Sequence, residues 1–256
     1  MSIRTISILS ILILSSFLFA GCNGNVATTE GKARAMENMG LSLAREGNLR
    51  AGLAHLLEAA ELNPNSPNLN YELALVYRDL GEHDLSLQHF HKALSLKPKF
   101  PEAHNDLGIL YGLLMKWDLA IESFQNAIND ILYKTPDVAY NNMGLVFYRK
   151  GEYDKAIECY IKALKEFPSS ASYYANLGLA YEALNRWQEA IKAYQRSVQY
   201  EPDYPPPYFR LGTLYYRQNR NGEASNVLRK FLVMVKEGPE TKEAQRLLKK
   251  IESPQR

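Results

Sequence analysis

The sequence predicts an all-α fold: a right-handed superhelical solenoid of six helix pairs, finished by a C-terminal capping helix. Two observations predict it. A small residue that follows an apolar one recurs at a fixed interval: Gly40, Ala74 and Gly108 are spaced by 34, and so are Gly144, Gly178 and Gly212. Around each of them the apolar residues fall at i, i+3 and i+4, the period of a helix and not of a strand. A unit of this length has too little apolar surface for its own core, so it buries its faces by stacking on its neighbours.

With the small residue placed at position 8, units begin at 33, 67, 101, 137, 171 and 205, giving repeats 33–66, 67–100, 101–136, 137–170, 171–204 and 205–238, then a capping helix and tail over 239–256. Position 7 is Met39, Leu73, Leu107, Met143, Leu177 and Leu211, and position 11 is Leu43, Tyr77, Tyr111, Phe147, Tyr181 and Tyr215. Position 20 is Gly52, Ser86, Ala120, Ala156, Ala190 and Ala224. Position 24 is Leu56, Phe90, Phe124, Tyr160, Tyr194 and Leu228. Pro64, Pro98, Pro168 and Pro202 stand at position 32. This pattern resembles the tetratricopeptide repeat. Positions 4, 7, 8 and 11 share one stripe of a first helix, and 20, 24 and 27 one stripe of a second. Small residues at 8 and 20 let the two approach, large ones at 7, 11 and 24 fill the space, and the proline ends the pair.

Most of the 17 tyrosines are accounted for as such stacking residues. Pro205, Pro206 and Pro207 open unit six, where a missing N–H costs little. After Gly238-Pro239, ETKEAQRLLKKI forms a last helix with a polar outer face. The interval from Gly108 to Gly144 is 36, so two residues are added within NDILYKTPDVAYNNMG. An insertion inside a helix would rotate every later side chain off its stripe. The sequence therefore places it at the end of unit three, with Ile131, Leu132 and Tyr133 prolonging the second helix until Thr135-Pro136 stops it.

The N-terminus has a separate character. MSIR is a short basic start, ISILSILILSSFLF is an apolar run of 14, and Ala20-Gly21-Cys22 follows. The run is shorter than the roughly 20 residues of a spanning helix and has the parts of a secretory signal over residues 1–21. Small-small-Cys after such a run resembles a bacterial lipobox, with Phe19 where leucine is usual. That resemblance implies lipidation of Cys22, palmitate among its acyl chains, and, with Asn23 next, sorting to the outer membrane, facing the periplasm. Multiple acyl chains make a stable anchor. Cys22 and the stretch NGNVATTEGK form a lipidated, flexible tether over 22–32. Cys159, the other cysteine, reads as an inert helix residue.

A net charge of +2 gives no reason to expect nucleic acid. The five histidines, His55, His83, His89, His91 and His104, show no metal spacing: His89 and His91 are two apart and point to different faces, as groove-edge or solvated side chains. There is no phosphate loop and no serine nucleophile motif, and acidic residues alternate with lysines on exposed helix positions. No enzyme activity, cofactor, metal or small-molecule substrate is expected.

A binding surface remains. In tetratricopeptide solenoids the first helices line a concave groove, and positions 5, 9 and 12 lie away from the core stripe. Position 9 repeats an aliphatic residue: Leu41, Leu75, Ile109, Leu145 and Leu179. Tyr71, Asn105, Asn141 and Phe209 stand at position 5, and Tyr148 and Tyr216 at position 12, beside Arg149 and Arg217. A solvated surface rarely repeats leucine at one position, although one or two of these side chains can pack on the next unit. Solenoids that clamp acidic peptide tails set basic residues at positions 5 and 9; here those are absent. An apolar floor suits an extended or amphipathic segment of another protein.

The leader, the cysteine and six units together resemble the pilotin-class type IV pilus biogenesis and stability lipoproteins. The extended third unit carries the most specific part of that resemblance, in the run Asp130-Ile131-Leu132-Tyr133 before Asn142-Met143-Gly144. The resemblance implies a noncatalytic partner of the pilus secretin subunit that carries it to the outer membrane and supports its assembly. A general periplasmic scaffold, similar to lipoproteins that recruit peptidoglycan hydrolases, would share the anchor and the solenoid.

Overall fold

The computed structural model describes residues 28–253, and among these every regular element is an α-helix. The leader, Cys22 and Asn23 lie outside them. Helix α1 covers 28–45. It is followed by α2 (Leu49–Leu62), α3 (Pro67–Asp79), α4 (His83–Leu96), α5 (Pro101–Leu113), α6 (Trp117–Ile128) and α7 (Pro136–Arg149). Then come α8 (Tyr153–Glu166), α9 (Ala171–Ala183), α10 (Trp187–Tyr200), α11 (Pro206–Arg217), α12 (Asn221–Met234) and α13 (Pro239–Glu252). Odd-numbered helices up to α11 are the first helices of the units and even-numbered ones the second. No described helix is long and apolar enough to cross a membrane.

Local chemistry sets the helix ends. Proline opens α3, α7, α11 and α13 within the first turn, where its fixed φ suits the helix. Ser66 and Ser170 cap α3 and α9, their hydroxyls accepting from the Leu69 and Tyr173 amides. Between the helices of each pair, position 15 takes a left-handed backbone: Gly47, Gly81 and Gly151 at φ 79–85°, Asn185 and Asn219 at φ 57° and 59°. Glycine and asparagine reach that region at little cost. Met115, at φ 57°, is the exception.

The described residues resolve into two compact units, which divide between Leu110 and Tyr111. In the first, α3 packs on α2 and α4, and Leu56, Ala59, Leu69, Leu73, Val76 and Tyr77 form a buried cluster. In the second, α7 packs on α8, α9 on α10 and α11 on α12, with each pair also meeting the next. Its core runs from Ala156, Tyr160, Leu177 and Ala180, through Ala190, Tyr194, Leu211 and Leu214, to Phe231, Leu247 and Leu248. Helix α13 closes the array by laying Ala244, Leu247 and Leu248 on Tyr208, Phe209, Leu228 and Phe231. Its lysines, glutamates and Arg246 face outward.

The small residues act by close approach. A Cβ on Gly144 would stand 2.6 Å from Tyr160 Cε1, and one on Gly178 would stand 2.7 Å from Tyr194 Cδ1. A Cβ on Gly40 would meet Leu56 Cγ at 2.7 Å. In these units the side chain at position 24 thus lies against the backbone of position 8. In unit two, Ser86 stands where other units have glycine or alanine, and its hydroxyl donates to the Ala74 carbonyl at 2.6 Å, so the buried polar atom is satisfied.

Three features differ from the sequence expectation. Residues 28–32, read as tether, already belong to α1. Met39, at a core position, is 55 % exposed, because among the described residues no preceding pair covers that side of α1. The insertion does not prolong α6, which ends at Ile128. Instead Asp130–Tyr133 form a turn: the Tyr133 amide donates to the Asp130 carbonyl, and the Leu132 amide to Asp130 Oδ1 at 2.9 Å. Aspartate at the first turn position competes for the backbone in this way and ends the helix. The turn throws Ile131 and Leu132 outward, 96 % and 80 % exposed, while Tyr133 is buried.

Candidate functional site

The first helices are helical because their apolar stripe is bought by burial on the second helices; what lies off that stripe is available for other work. Position 9 is the row that stays open. Ile109 and Leu145 are each 37 % exposed, and Leu75 is half-buried. Leu41 is also half-buried and packs on the cluster around Leu56 and Leu73, while Leu179 packs on the cluster around Leu211 and Leu214. Each of those clusters joins residues of two neighbouring helix pairs.

Position 5 serves the junctions between neighbouring pairs. The Tyr71 hydroxyl donates to Asp106 Oδ2 at 2.6 Å, and its ring lies 5.0 Å from that of Phe100. Asn105 is buried and hydrogen-bonds Asp106. Asn141 Oδ1 accepts from Asn176 Nδ2 at 2.9 Å. Phe209 is buried, its ring 5.4 Å from that of Phe231. These four were expected on the groove wall; Asn105 and Phe209 are instead buried, Phe209 among Phe231, Leu247 and Leu248. Tyr148 and Tyr216 are half-buried at position 12, Tyr148 edge-on to Tyr153 and Tyr216 against Leu214 and Phe231 neighbours.

The residues that the sequence reading missed are at position 6: Asn38, Glu72, Asp106, Asn142, Asn176 and Arg210. A polar residue in all six units was the signal. In the first unit, burial raises the Asp106 carboxyl above the usual range, against the opposing pull of the Tyr71 hydroxyl and the Arg78 guanidinium 3.8 Å away. Burial also raises Glu72, with Glu37 adding repulsion.

In the second unit, Tyr148, Leu179, Glu182, Ala183, Trp187, Arg210 and Arg217 line a recess of about 210 Å³. Glu182 is anchored from below, its Oε2 accepting from the buried Tyr194 hydroxyl at 2.9 Å. Its Oε1 faces Arg210 Nη1 at 3.8 Å, an ion pair too long for a direct hydrogen bond. The Arg217 guanidinium sits 5.6 Å from the centroid of the Trp187 ring. Burial raises the Tyr148 phenol, which stays neutral and able to donate.

Two of the histidines make packing or backbone contacts. His89 stacks on Tyr77 at 5.3 Å and meets Asn70 Oδ1 at 3.1 Å, so it is a half-buried packing residue and not a solvated one. His104 Nε2 meets the Pro98 carbonyl at 3.1 Å. Among the described residues no three His, Cys, Asp or Glu converge as metal ligands. Cys159 is buried, and desolvation pushes its thiol up to about 11.

Among curated proteins, none matches this sequence. Solved structures do. PilF of Pseudomonas aeruginosa superposes with a TM-score of 0.74 at 19% identity, over 86% of this chain and 99% of that one. PilW, a widely conserved type IV pilus biogenesis factor, gives 0.75 at 18% identity, over 83% and 98%. YrrB, a tetratricopeptide protein with an unusual peptide-binding site, gives 0.59 at 16% identity, over 75% and 97%. Models of the tetratricopeptide repeat match residues 74–114, 141–205 and 181–251. With that pattern carried by the consecutive helix pairs of both units, the chain belongs to the tetratricopeptide-repeat family.

Proposed function

We propose that this protein is a noncatalytic, lipid-anchored adaptor of the outer membrane that holds a segment of a partner protein against its first helices. The partner is the type IV pilus secretin subunit, which it helps to reach the membrane and assemble. The observation that carries the binding role is position 9, taken within each unit: Ile109 in the first and Leu145 in the second are each 37 % exposed and Leu75 is half-buried, while Leu73, Leu107 and Met143 two residues earlier are buried. An open aliphatic row is costly unless another chain covers it. The likeness to PilF and PilW, end to end over both of those chains, supports the choice of partner. The leader and Cys22 support the anchor.

The test is recovery from detergent-solubilised membranes with a tagged chain. Co-purification of a secretin, together with loss of secretin multimers in a deletion strain, is expected. Unchanged multimers and no secretin in the eluate would refute the reading. Leu145→Glu and Leu75→Glu, which place a charge on the open row, should each abolish capture while the helical circular dichroism signal is kept.

A further inference from the structure

We infer that the recess between α7, α9, α10 and α11 recognises a single carboxylate carried on an otherwise apolar peptide segment; this rests on the groove reading above and adds the chemistry of one subsite to it. The recess has two walls. Leu179, Ala183 and the Trp187 ring are apolar, and Leu179 belongs to the position 9 row, so a segment lying along that row runs into the recess. The opposite wall carries Arg210 and Arg217.

The charges are unbalanced by one. Two guanidiniums face one carboxylate, Glu182, and that carboxylate is held by Tyr194 at 2.9 Å while it stands 3.8 Å from Arg210. Arg217 forms no ion pair among the described residues; its guanidinium carbon stands over the Trp187 ring, 5.6 Å from the centroid. A guanidinium over an aromatic ring is held there by the ring's negative face and can still present its fork of N–H donors to a planar acceptor. One incoming carboxylate neutralises the site and uses those donors, and the Tyr148 hydroxyl can add a further bond. A tail with several carboxylates would overcharge it and repel Glu182. This set also differs in place from a basic row at positions 5 and 9, since Arg210 and Arg217 stand at positions 6 and 13.

The experiment uses full-length protein in detergent and three rhodamine-labelled pentapeptides read by fluorescence anisotropy. They are Leu-Leu-Asp-Leu-Phe amidated, Leu-Leu-Asn-Leu-Phe amidated, and Leu-Leu-Asn-Leu-Phe with a free C-terminus. The expected result is that a carboxylate peptide binds at least about fivefold tighter than the neutral one, the magnitude of an exposed to half-buried ion pair. Which of the two acids binds tells a side-chain carboxylate from a chain terminus. The advantage should fall to within twofold in Arg217→Gln and Arg210→Gln, and shrink as salt rises from 50 to 500 mM. Equal binding of acid and neutral peptides, an advantage that survives both glutamine variants, or no binding of any peptide overturns the assignment. If the neutral peptide binds as well as the acids and Leu145→Glu abolishes it, the groove reading stands and only the carboxylate subsite falls.

Discussion

The Tyr71 hydroxyl donates to Asp106 Oδ2 at 2.6 Å across 35 residues of sequence, one repeat unit plus one. A tyrosine of α3 is thereby tied to a carboxylate of α5, and neighbouring pairs are registered by a polar bond as well as by apolar packing. Asn141 with Asn176, and Tyr173 with Asp137 at 2.9 Å, repeat the device further along. Tyr71→Phe leaves a largely buried carboxylate short of a donor. It should destabilise the protein by about 1–3 kcal/mol, the cost of an unsatisfied buried polar group. Urea unfolding followed by circular dichroism measures it, and no change in midpoint would show that the bond is not a register device.

The same corner sets a pH dependence. Burial and Glu37 raise the folded-state Glu72 carboxyl above its ordinary value, and burial raises Asp106. A carboxyl raised on folding is protonated more readily in the folded chain. Its favourable contribution is complete below the unfolded value and is lost as pH climbs through the folded one. Glu72→Gln should therefore raise the melting temperature at pH 7, with the gain vanishing by pH 4. A gain that is the same at both pH values would mean that charge at this site has no part in it.

The left-handed turn at position 15 offers a stabilising change. Glycine or asparagine fills it in five units, but Met115 holds φ 57° with its side chain 72 % exposed. A non-glycine residue other than asparagine or aspartate pays roughly 1–2 kcal/mol there. Met115→Asn should recover about 0.5–1 kcal/mol of that without touching the core. A higher urea midpoint with an unchanged slope is the expected observation.

How much of this was legible beforehand follows the repeat. Positions 8, 20 and 24 could be read because the same residue pattern recurs six times: Gly178 under Tyr194 is Gly144 under Tyr160 moved along by 34. The half-open state of Leu145 was also readable, since position 9 lies off the buried stripe. What depends on the particular side chains that an off-stripe residue meets was not. Phe209 and Tyr71 look alike at position 5 in sequence, yet one is sealed by Phe231 and the other reaches Asp106. The pairing of Arg217 with Trp187 joins two helices whose side-chain directions no single stripe defines. The insertion misled for a local reason: Ile131 and Leu132 have the apolar character of a helix extension, but Asp130 caps a turn first.

The glycine-ring contact makes a strong packing prediction. In Gly178→Ala the added Cβ would stand 2.7 Å from Tyr194 Cδ1, and the ring cannot retreat because its hydroxyl is held by Glu182. Overpacking of this kind costs about 1–3 kcal/mol. Gly178→Ala with Tyr194→Leu should cost less than the two single changes added together, since the smaller side chain makes room. Strict additivity in a double-mutant cycle would sink the contact as the cause.

Cys159 gives a chemical clock for opening of α8. Its thiol is buried and raised to about 11 by desolvation, so at pH 8 the native chain holds little thiolate and little access. Alkylation by iodoacetamide should be slow in buffer, fast in urea, and accelerated in Gly144→Ala, which loosens the same helix pair. Fast labelling of the native chain would contradict the packing of α8 on α7 and α9.

The turn in unit three separates two kinds of apolar residue that the sequence presents side by side. Ile131 and Leu132 touch almost nothing, being 96 % and 80 % exposed, so Ile131→Ser with Leu132→Ser should leave stability within about 0.5 kcal/mol. Tyr133 is buried, and the turn that seats it is closed by its own amide on the Asp130 carbonyl at 3.0 Å. Tyr133→Ala should cost about 3–5 kcal/mol, the range for truncating a buried aromatic residue. Asp130→Ala, which removes the acceptor for the Leu132 amide, should cost less, near 1 kcal/mol. Thermal unfolding of the three variants gives the order directly. If the serine pair were as damaging as Tyr133→Ala, Ile131 and Leu132 would have to pack in solution, and the inserted residues would be a helix extension after all.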